Sequence, residues 1–123
     1  MIDCAFPRAR RLLIGADFQT VFRKTRCRSA DKYLCILTTV NNRTFSRLGL
    51  AIAKKKIKTS VGRQRIKRLV RESFRHHQQQ MIVKQLGLDI VVMANPAASQ
   101  ATNHQIFASL QRHWKKLIDQ CNR

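Results

Sequence analysis

The strongest chemical signal in the sequence is a dense cluster of cationic side chains between Ser60 and Arg75. At a helical rotation of about 100° per residue, apolar and cationic side chains fall on opposite arcs. The apolar arc holds Ile66, Leu69, Val70, Ser73 and Phe74, and the polar arc holds Arg63, Gln64, Arg65, Lys67, Arg68, Arg71, Glu72 and Arg75. The pattern predicts a helix that packs on a core by one face and attracts a polyanion with the other.

The composition points to the same class of partner. The chain has 123 residues, with 25 Lys and Arg against 6 Asp and Glu, and a formal charge of +19. A nucleic acid is the first partner that this charge predicts and an anionic membrane surface is the second, but no apolar run approaches the ~20 residues of a spanning helix. The N-terminus lacks the apolar segment of a secretory signal. We expect a cytoplasmic protein with one domain, residues 1–123, that begins with a basic arm, residues 1–14.

The sequence contains little catalytic chemistry. Its six carboxylates are scattered, with no paired acids for hydrolysis or for two metal ions. Glu72 is expected to pair within its helix with Arg68 or Arg75. The four cysteines lack zinc-ligand spacing and are expected to be free thiols. These features predict a nucleic-acid-binding protein without an active site of its own, and the lack of a helix-turn-helix pattern disfavours DNA.

The flanking residues predict the elements that hold this helix. A short helix is expected over 17–24, strands over 33–40 and 46–53, a strand buried on both faces over 88–94, and a last helix after Ser99. The first two strands are expected to form an antiparallel hairpin across a turn at 41–44, and residues 26–31 are expected to form a polar loop. Together these elements predict a layered α/β sandwich.

Three aromatic residues have two interpretations. Phe18 and Phe22 share one face of the first predicted helix with Val21, which suits either the core or a surface on which single-stranded bases stack. Trp114 falls on the apolar face of the last helix with Ile106, Leu110 and Leu117, and is expected to be a core anchor rather than a surface on which bases stack.

Residues 63–75, Arg-Gln-Arg-Ile-Lys-Arg-Leu-Val-Arg-Glu-Ser-Phe-Arg, resemble the signature of the protein subunit of bacterial ribonuclease P, Arg-Asn-Arg-x-x-Lys-Arg-x-x-Arg. The resemblance extends over nearly the whole chain. It includes Phe-Pro-Arg at 6–8, Asp-Phe-Gln-x-Val-Phe at 17–22, Leu-Gly-Leu-Ala-Ile-Ala-Lys-Lys at 48–55 and Asp-Ile-Val-Val-Met-Ala-Asn-Pro at 89–96. The family's Asn between the two arginines is Gln64 here, which carries the amide one methylene further out.

The resemblance implies a fold, a partner and a role. The fold is α+β, in the order α-β-β-β-α-β-α, with a basic central helix on a mainly antiparallel sheet and a left-handed β-α-β crossover. The partner is a catalytic RNA, and the complex removes the 5′ leader of precursor tRNA by endonucleolytic cleavage. The resemblance also implies that Mg²⁺ is held mainly by the RNA, and that this chain contributes no catalytic or metal-binding residue. We expect neither a membrane partner nor an obligate protein partner.

Two groups of binding residues follow from the resemblance. The catalytic RNA is expected to contact Lys55, Lys56, Arg63, Gln64, Arg65, Lys67, Arg68 and Arg71. The single-stranded leader is expected to contact Phe18, Phe22, Tyr33 and Ile36, in a cleft between the first helix and the sheet. Two other kinds of protein remain as alternatives. One is a ribosomal or other structural RNA-binding protein, which has a similar charge and size, and the other is a nuclease that acts without RNA.

Overall fold

The computed structural model describes residues 15–80, 82–83 and 86–121. The predicted basic arm, residues 1–14, lies outside the described residues. The elements are α1 (Gly15–Arg23), β1 (Cys27–Ala30), β2 (Leu34–Val40), β3 (Arg47–Ala51), α2 (Ser60–His77), β4 (Ile82–Val83), β5 (Leu86–Ala94) and α3 (Asn103–Cys121), with short 3-10 helices at Gln78–Gln80 and Pro96–Gln100. No helix within these ranges is long and apolar enough to cross a bilayer.

The sheet has the strand order β1-β2-β5-β3, with the two-residue β4 paired to the start of β5. Strand β5 is antiparallel to β2 and β4 and parallel to β3, and β1 is antiparallel to β2. The sheet is therefore mainly antiparallel, as expected. Strands β3 and β5, joined through α2, form the β-α-β unit that the resemblance implies, and the left hand of its crossover stays a prediction.

The predicted hairpin between β2 and β3 is wrong, because β5 lies between these two strands. Residues 88–92 of β5 are buried on both faces of the sheet, which suits a strand with neighbours on both sides. Local turn chemistry at 41–44 favoured the hairpin, and the burial of β5 overrides it.

The predicted polar loop at 26–31 is also wrong, since residues 27–30 form the edge strand β1. This strand pairs with β2 from Cys27 opposite Thr38 to Ala30 opposite Cys35. Cys27 and Ser29 are buried, whereas Arg28 and Ala30 are exposed. A four-residue strand with polar residues has a weak sequence pattern, and its pairing with β2 is what makes it a strand.

The main core lies between one face of the sheet and the helices α2 and α3. The predicted apolar arc of α2 is confirmed, because Ile66, Leu69, Val70, Ser73 and Phe74 are its buried residues. Trp114 of α3 is 2% exposed and meets the Phe74 ring edge to face, with centroids 6.3 Å apart. The indole Nε1–H of Trp114 donates to Ser73 Oγ at 2.8 Å, which satisfies the buried polar atom and joins α3 to α2.

A second, smaller core lies on the opposite face of the sheet, beneath α1. Val21 of α1 and Val91 of β5 are fully buried there, and Phe18 and Leu37 pack against them. Phe22 is 47% exposed. Of the two phenylalanines, Phe18 therefore has the packing role, and Phe22 presents its ring to solvent.

Two of the cysteines expected to be free thiols are paired. Cys27 at the start of β1 and Cys121 at the end of α3 form a disulfide, with Cα atoms 6.2 Å apart. Ninety-four positions separate them in the sequence, and the packing of α3 on β1 brings them together. Cys35 is the free cysteine of the described residues.

Candidate nucleic-acid interface

The start of α2 is fixed to the turn that precedes it. Thr59 is the N-cap, and its side chain accepts a hydrogen bond from the Gly62 N–H at 3.0 Å. Arg63 donates from one guanidinium nitrogen to the backbone carbonyls of Ile57 and Lys58, at 2.9 and 3.1 Å. Ile57 is 1% exposed and anchors this turn in the core. The cap and the Arg63 contacts together set where the lysine turn stands relative to the helix.

Arg65 connects α2 to the start of α3. Its Nε donates to Asn103 Oδ1 at 3.0 Å, and its two terminal nitrogens donate to the backbone carbonyls of Ala98 and Ala101. These contacts engage all three guanidinium nitrogens with the protein itself. Arg65 is therefore a structural tie as well as a cation.

The other predicted residues of this group differ in their exposure. Lys55, Lys56, Gln64 and Arg68 are exposed, whereas Lys67 and Arg71 are half-buried. All eight predicted residues lie on α2 or on the turn tied to it, and we call this group the α2 surface: Lys55, Lys56, Arg63, Gln64, Arg65, Lys67, Arg68 and Arg71. The helix and its cap thus gather the group in one region, as the sequence predicts.

Glu72 is the acid within this basic helix. Its Oε1 accepts from Arg75 at 2.5 Å and lies 3.0 Å from His76 Nε2. The hydrogen bond with His76, followed by the contact with Arg75, lowers the pKa of Glu72. The expected pairing with Arg75 is confirmed, and His76 takes the place expected for Arg68. The Glu72 carboxylate is thus paired with side chains in the C-terminal half of its own helix.

The four predicted leader-binding residues do not share one face of the sheet. Phe18 and Phe22 lie on α1, but Ile36 is fully buried in the main core under α2 and α3. Tyr33 packs against that same core, with Lys32 Nζ 5.0 Å from its ring centroid. The prediction that Ile36 contacts the leader is therefore wrong, because its side chain has no accessible surface.

The residues that do lie beside Phe18 come from the alternate positions of the strands. Leu37, Ala51 and Met93 are partly buried there and pack with α1. We call this group, with Phe18 and Phe22, the α1 surface. The sequence carried a signal for this difference. Neighbouring side chains of a strand point to opposite faces of the sheet, so Leu37 and Ile36 could not both face α1.

A charged group that sequence reasoning missed fixes the α1 side of the sheet. Arg47 binds Asp89 with two hydrogen bonds, Nε to Oδ1 at 2.8 Å and Nη2 to Oδ2 at 2.6 Å. Asn41 also donates to Asp89 Oδ1 at 2.8 Å, and Asp17 of α1 lies 3.4 Å from Arg47. The hydrogen bonds to Asp89 raise the pKa of Arg47, although burial opposes the shift. This cluster ties α1 to β3 and β5.

Comparison with known proteins agrees with this geometry. The family model for ribonuclease P matches residues 6–118. The ribonuclease P protein component of Methylococcus capsulatus is 42% identical over 118 residues, which cover 95% of this chain and 88% of that protein. The Vibrio cholerae component is 42% identical over 117 residues, which cover 95% of each.

Solved structures show the same fold. The RNase P protein of Staphylococcus aureus superposes with a TM-score of 0.77 and 32% identity, covering 90% of this chain and 99% of that one. The RNase P protein of Thermotoga maritima superposes with a TM-score of 0.67 and 26% identity, covering 92% and 96%.

The fold and the α2 surface thus define an α+β protein with a strongly cationic central helix. The chain belongs to the ribonuclease P protein family. Members are subunits of the ribonuclease P endoribonuclease, which processes tRNA 5′ ends, and their partner is the ribonuclease P RNA. These similarities do not favour the alternative of a ribosomal or other structural RNA-binding protein.

Proposed function

We propose that this chain positions two RNA segments within ribonuclease P, one on each side of its sheet. The α2 surface belongs to a helix that packs on one face, and the α1 surface covers the other. That placement on opposite faces is the observation that carries the proposal. It lets the ribonuclease P RNA bind on the α2 side while the leader of precursor tRNA binds on the α1 side.

The RNA contacts proposed for the α2 surface are electrostatic. Arg68, Lys55 and Lys56 are exposed and free to meet phosphates, whereas Arg63 and Arg65 hold the local structure. A phosphate contact contributes about 0.7–0.9 to the slope of log affinity against log salt. The most exposed cations should therefore carry most of the salt dependence.

The leader contacts proposed for the α1 surface are apolar and aromatic. Phe22 has an exposed ring on which a base can stack, a contact worth ~1–3 kcal/mol in single-stranded complexes. Phe18 and Leu37 supply the partly buried floor beside it. Stacking tolerates every base, so this surface suits leaders of differing sequence.

We further propose that Mg²⁺ is held mainly by the RNA of the complex, where it would activate the attacking water. The described residues offer no group of three or more His, Cys, Asp or Glu side chains placed to hold a metal ion. In this proposal the chain supplies neither a metal ligand nor a catalytic residue. The proposed compartment is the cytoplasm.

Reconstitution with the ribonuclease P RNA tests the proposal. Cleavage of precursor tRNA by the RNA should improve when the protein is added, and the protein without RNA should not cleave. Phe22→Ala should weaken binding of leader-bearing precursor tRNA by about 5- to 150-fold, the equivalent of ~1–3 kcal/mol, and leave mature tRNA unchanged.

Val61→Ala is the matched control, because Val61 is an 80% exposed apolar residue on α2. It should leave both affinities unchanged. If Phe22→Ala lost the same affinity for precursor tRNA as for mature tRNA, the proposal that the leader binds the α1 surface would be refuted.

A further inference from the structure

The floor of the α1 surface continues across the sheet to one of its edges. On the face under α1, Ala51 of β3 lies opposite Met93 of β5, and Leu37 of β2 lies opposite Val91 of β5. These side chains belong to the small core beneath α1. The next residue outwards is Arg28 of β1, which lies directly opposite Leu37. An apolar row that crosses β3, β5 and β2 thus ends in a cation on the edge strand β1.

Strand alternation places the Arg28 side chain on the α1 side of the sheet. Its neighbours Cys27 and Ser29 are buried, and the disulfide to Cys121 shows that Cys27 faces α3. Successive side chains of a strand point to opposite faces, so Arg28 and Ala30 point away from α3. Both are exposed, and β1 pairs with β2 alone among the strands of the described residues. The small Ala30 side chain therefore leaves room for a strand of RNA beside Arg28.

The charge of Arg28 is not neutralised by a nearby acid. The sequence has no acidic residue between Asp17 and Asp31, and both of these carboxylates have other partners, Arg47 and Ser109 respectively. Among the described residues, no carboxylate forms an ion pair with Arg28. A guanidinium in this state suits a phosphate, which it can bind through two parallel hydrogen bonds.

The two neighbouring cations have different surroundings. Arg26 donates from its guanidinium to the Cys121 carbonyl of α3 at 3.3 Å, so it has a role within the fold. Lys24 continues the last turn of α1, because its backbone N–H still makes a helical hydrogen bond at 2.9 Å. At about 100° per residue, Lys24 lies about 160° from Phe22 around the helix axis and therefore on the other flank of α1. Of these three cations, Arg28 is the one that lies beside the floor of the α1 surface.

We propose that Arg28 binds a phosphate of the precursor-tRNA leader where the leader crosses the edge of the sheet. Bases of the leader stack on Phe22 and lie over Leu37, and the backbone then passes over β1 beside Ala30. The inference rests on the proposed function, in which the leader binds the α1 surface. It adds a path for the leader, across the sheet towards β1, because phosphate contacts fix the position of a nucleic-acid strand without reading its sequence.

An arginine on an edge strand also has a use that involves no RNA. A charge there hinders pairing of the edge with a strand of another chain. That use depends on the protein alone, so replacement of Arg28 would promote self-association and leave the affinity for the leader unchanged. Comparison of RNAs with and without the leader separates the two roles.

The experiment measures binding of precursor tRNA and of mature tRNA to the holoenzyme, assembled from this chain and the ribonuclease P RNA, over a salt titration. The difference between the two slopes of log affinity against log salt isolates the contacts that the leader makes. Arg28→Gln should reduce this difference by about 0.7, the contribution of one phosphate of a single strand. At ~0.15 M salt the affinity for precursor tRNA should fall about fourfold, and the affinity for mature tRNA should stay the same.

Two further variants assign the effect to this position. Arg28→Lys keeps the charge but not the fork of donors, so it should keep the slope difference and lose less affinity than Arg28→Gln. Lys24→Gln is the matched control, because it removes an exposed cation from the same segment on the other flank of α1. It should leave the slope difference unchanged. Gel filtration of each variant reports any self-association.

The inference is overturned if Arg28→Gln keeps the slope difference of the wild type, or if precursor and mature tRNA lose affinity equally. It is also overturned if Lys24→Gln lowers the difference as much, since overall charge would then explain the effect. Failure of the proposed function has another signature, because Phe22→Ala would then cost no affinity specific to the leader. If Phe22→Ala has its expected effect and Arg28→Gln does not, only the path over β1 is refuted.

Discussion

Arg65 and Arg68 are equivalent in the sequence motif but differ in the folded chain, and this difference can be measured. Arg65 donates to three acceptors in the segment 98–103 that leads into α3, whereas Arg68 is exposed. Replacing each by Ala should therefore have different consequences for stability and for RNA binding.

Arg65→Ala removes three charge-assisted hydrogen bonds and leaves two backbone carbonyls without this donor. Such a bond is worth ~1.5–3 kcal/mol when buried, but Arg65 is only half-buried and water can replace part of the loss. We expect a loss of about 1–3 kcal/mol in the free energy of unfolding, or roughly 3–15 °C in Tm for a chain of this size. Arg68→Ala should change the free energy of unfolding by less than about 0.5 kcal/mol.

The assay combines urea unfolding of the protein with a salt titration of its affinity for the ribonuclease P RNA. Arg68→Ala should reduce the slope of log affinity against log salt by about 0.7–0.9 without loss of stability. Arg65→Lys is the control that keeps the charge and loses the fork of donors, so it should lose stability and keep the slope. An Arg65→Ala variant as stable as the wild type would refute the structural role, and an unchanged slope in Arg68→Ala would refute the phosphate contact.

Two further predictions concern stability. Gly87→Ala should lower the free energy of unfolding by about 2–3 kcal/mol in urea titrations, because a methyl group there would overlap the Phe45 carbonyl. Gly15→Ala is the control and should have no such cost, because no atom of the described residues lies within 4 Å of the added methyl group. Burial lowers the pKa of His113 below 6.5, although Asp31 opposes the shift, so the unfolded chain binds more protons below that pH. The free energy of unfolding should fall as pH drops from 7.5 to 5.5, by at most about 1.4 kcal/mol per pH unit. The variant His113→Asn should show a smaller fall. If the two proteins had the same pH profile of stability, His113 would not be the group responsible.

Much of this protein follows from local sequence. The helix α2 was predictable because a 3.6-residue period separates its apolar and cationic residues. The burial of Trp114 and the burial of β5 on both faces were predictable for the same kind of reason, since a side chain's periodicity and polarity set which face it can bury. The signature at 63–75 also pointed to the family.

Tertiary packing decided the rest, because it depends on contacts between residues far apart in the chain. Insertion of β5 between β2 and β3 replaced the expected hairpin, and pairing with β2 made a strand of residues 27–30. Strand alternation placed Ile36 in the main core, and the packing of α1 on the sheet through Val21 and Phe18 left Phe22 in solvent. The motif determined that positions 65 and 68 carry arginines, but only the approach of residues 98–103 to α2 tied Arg65 into the fold and left Arg68 exposed.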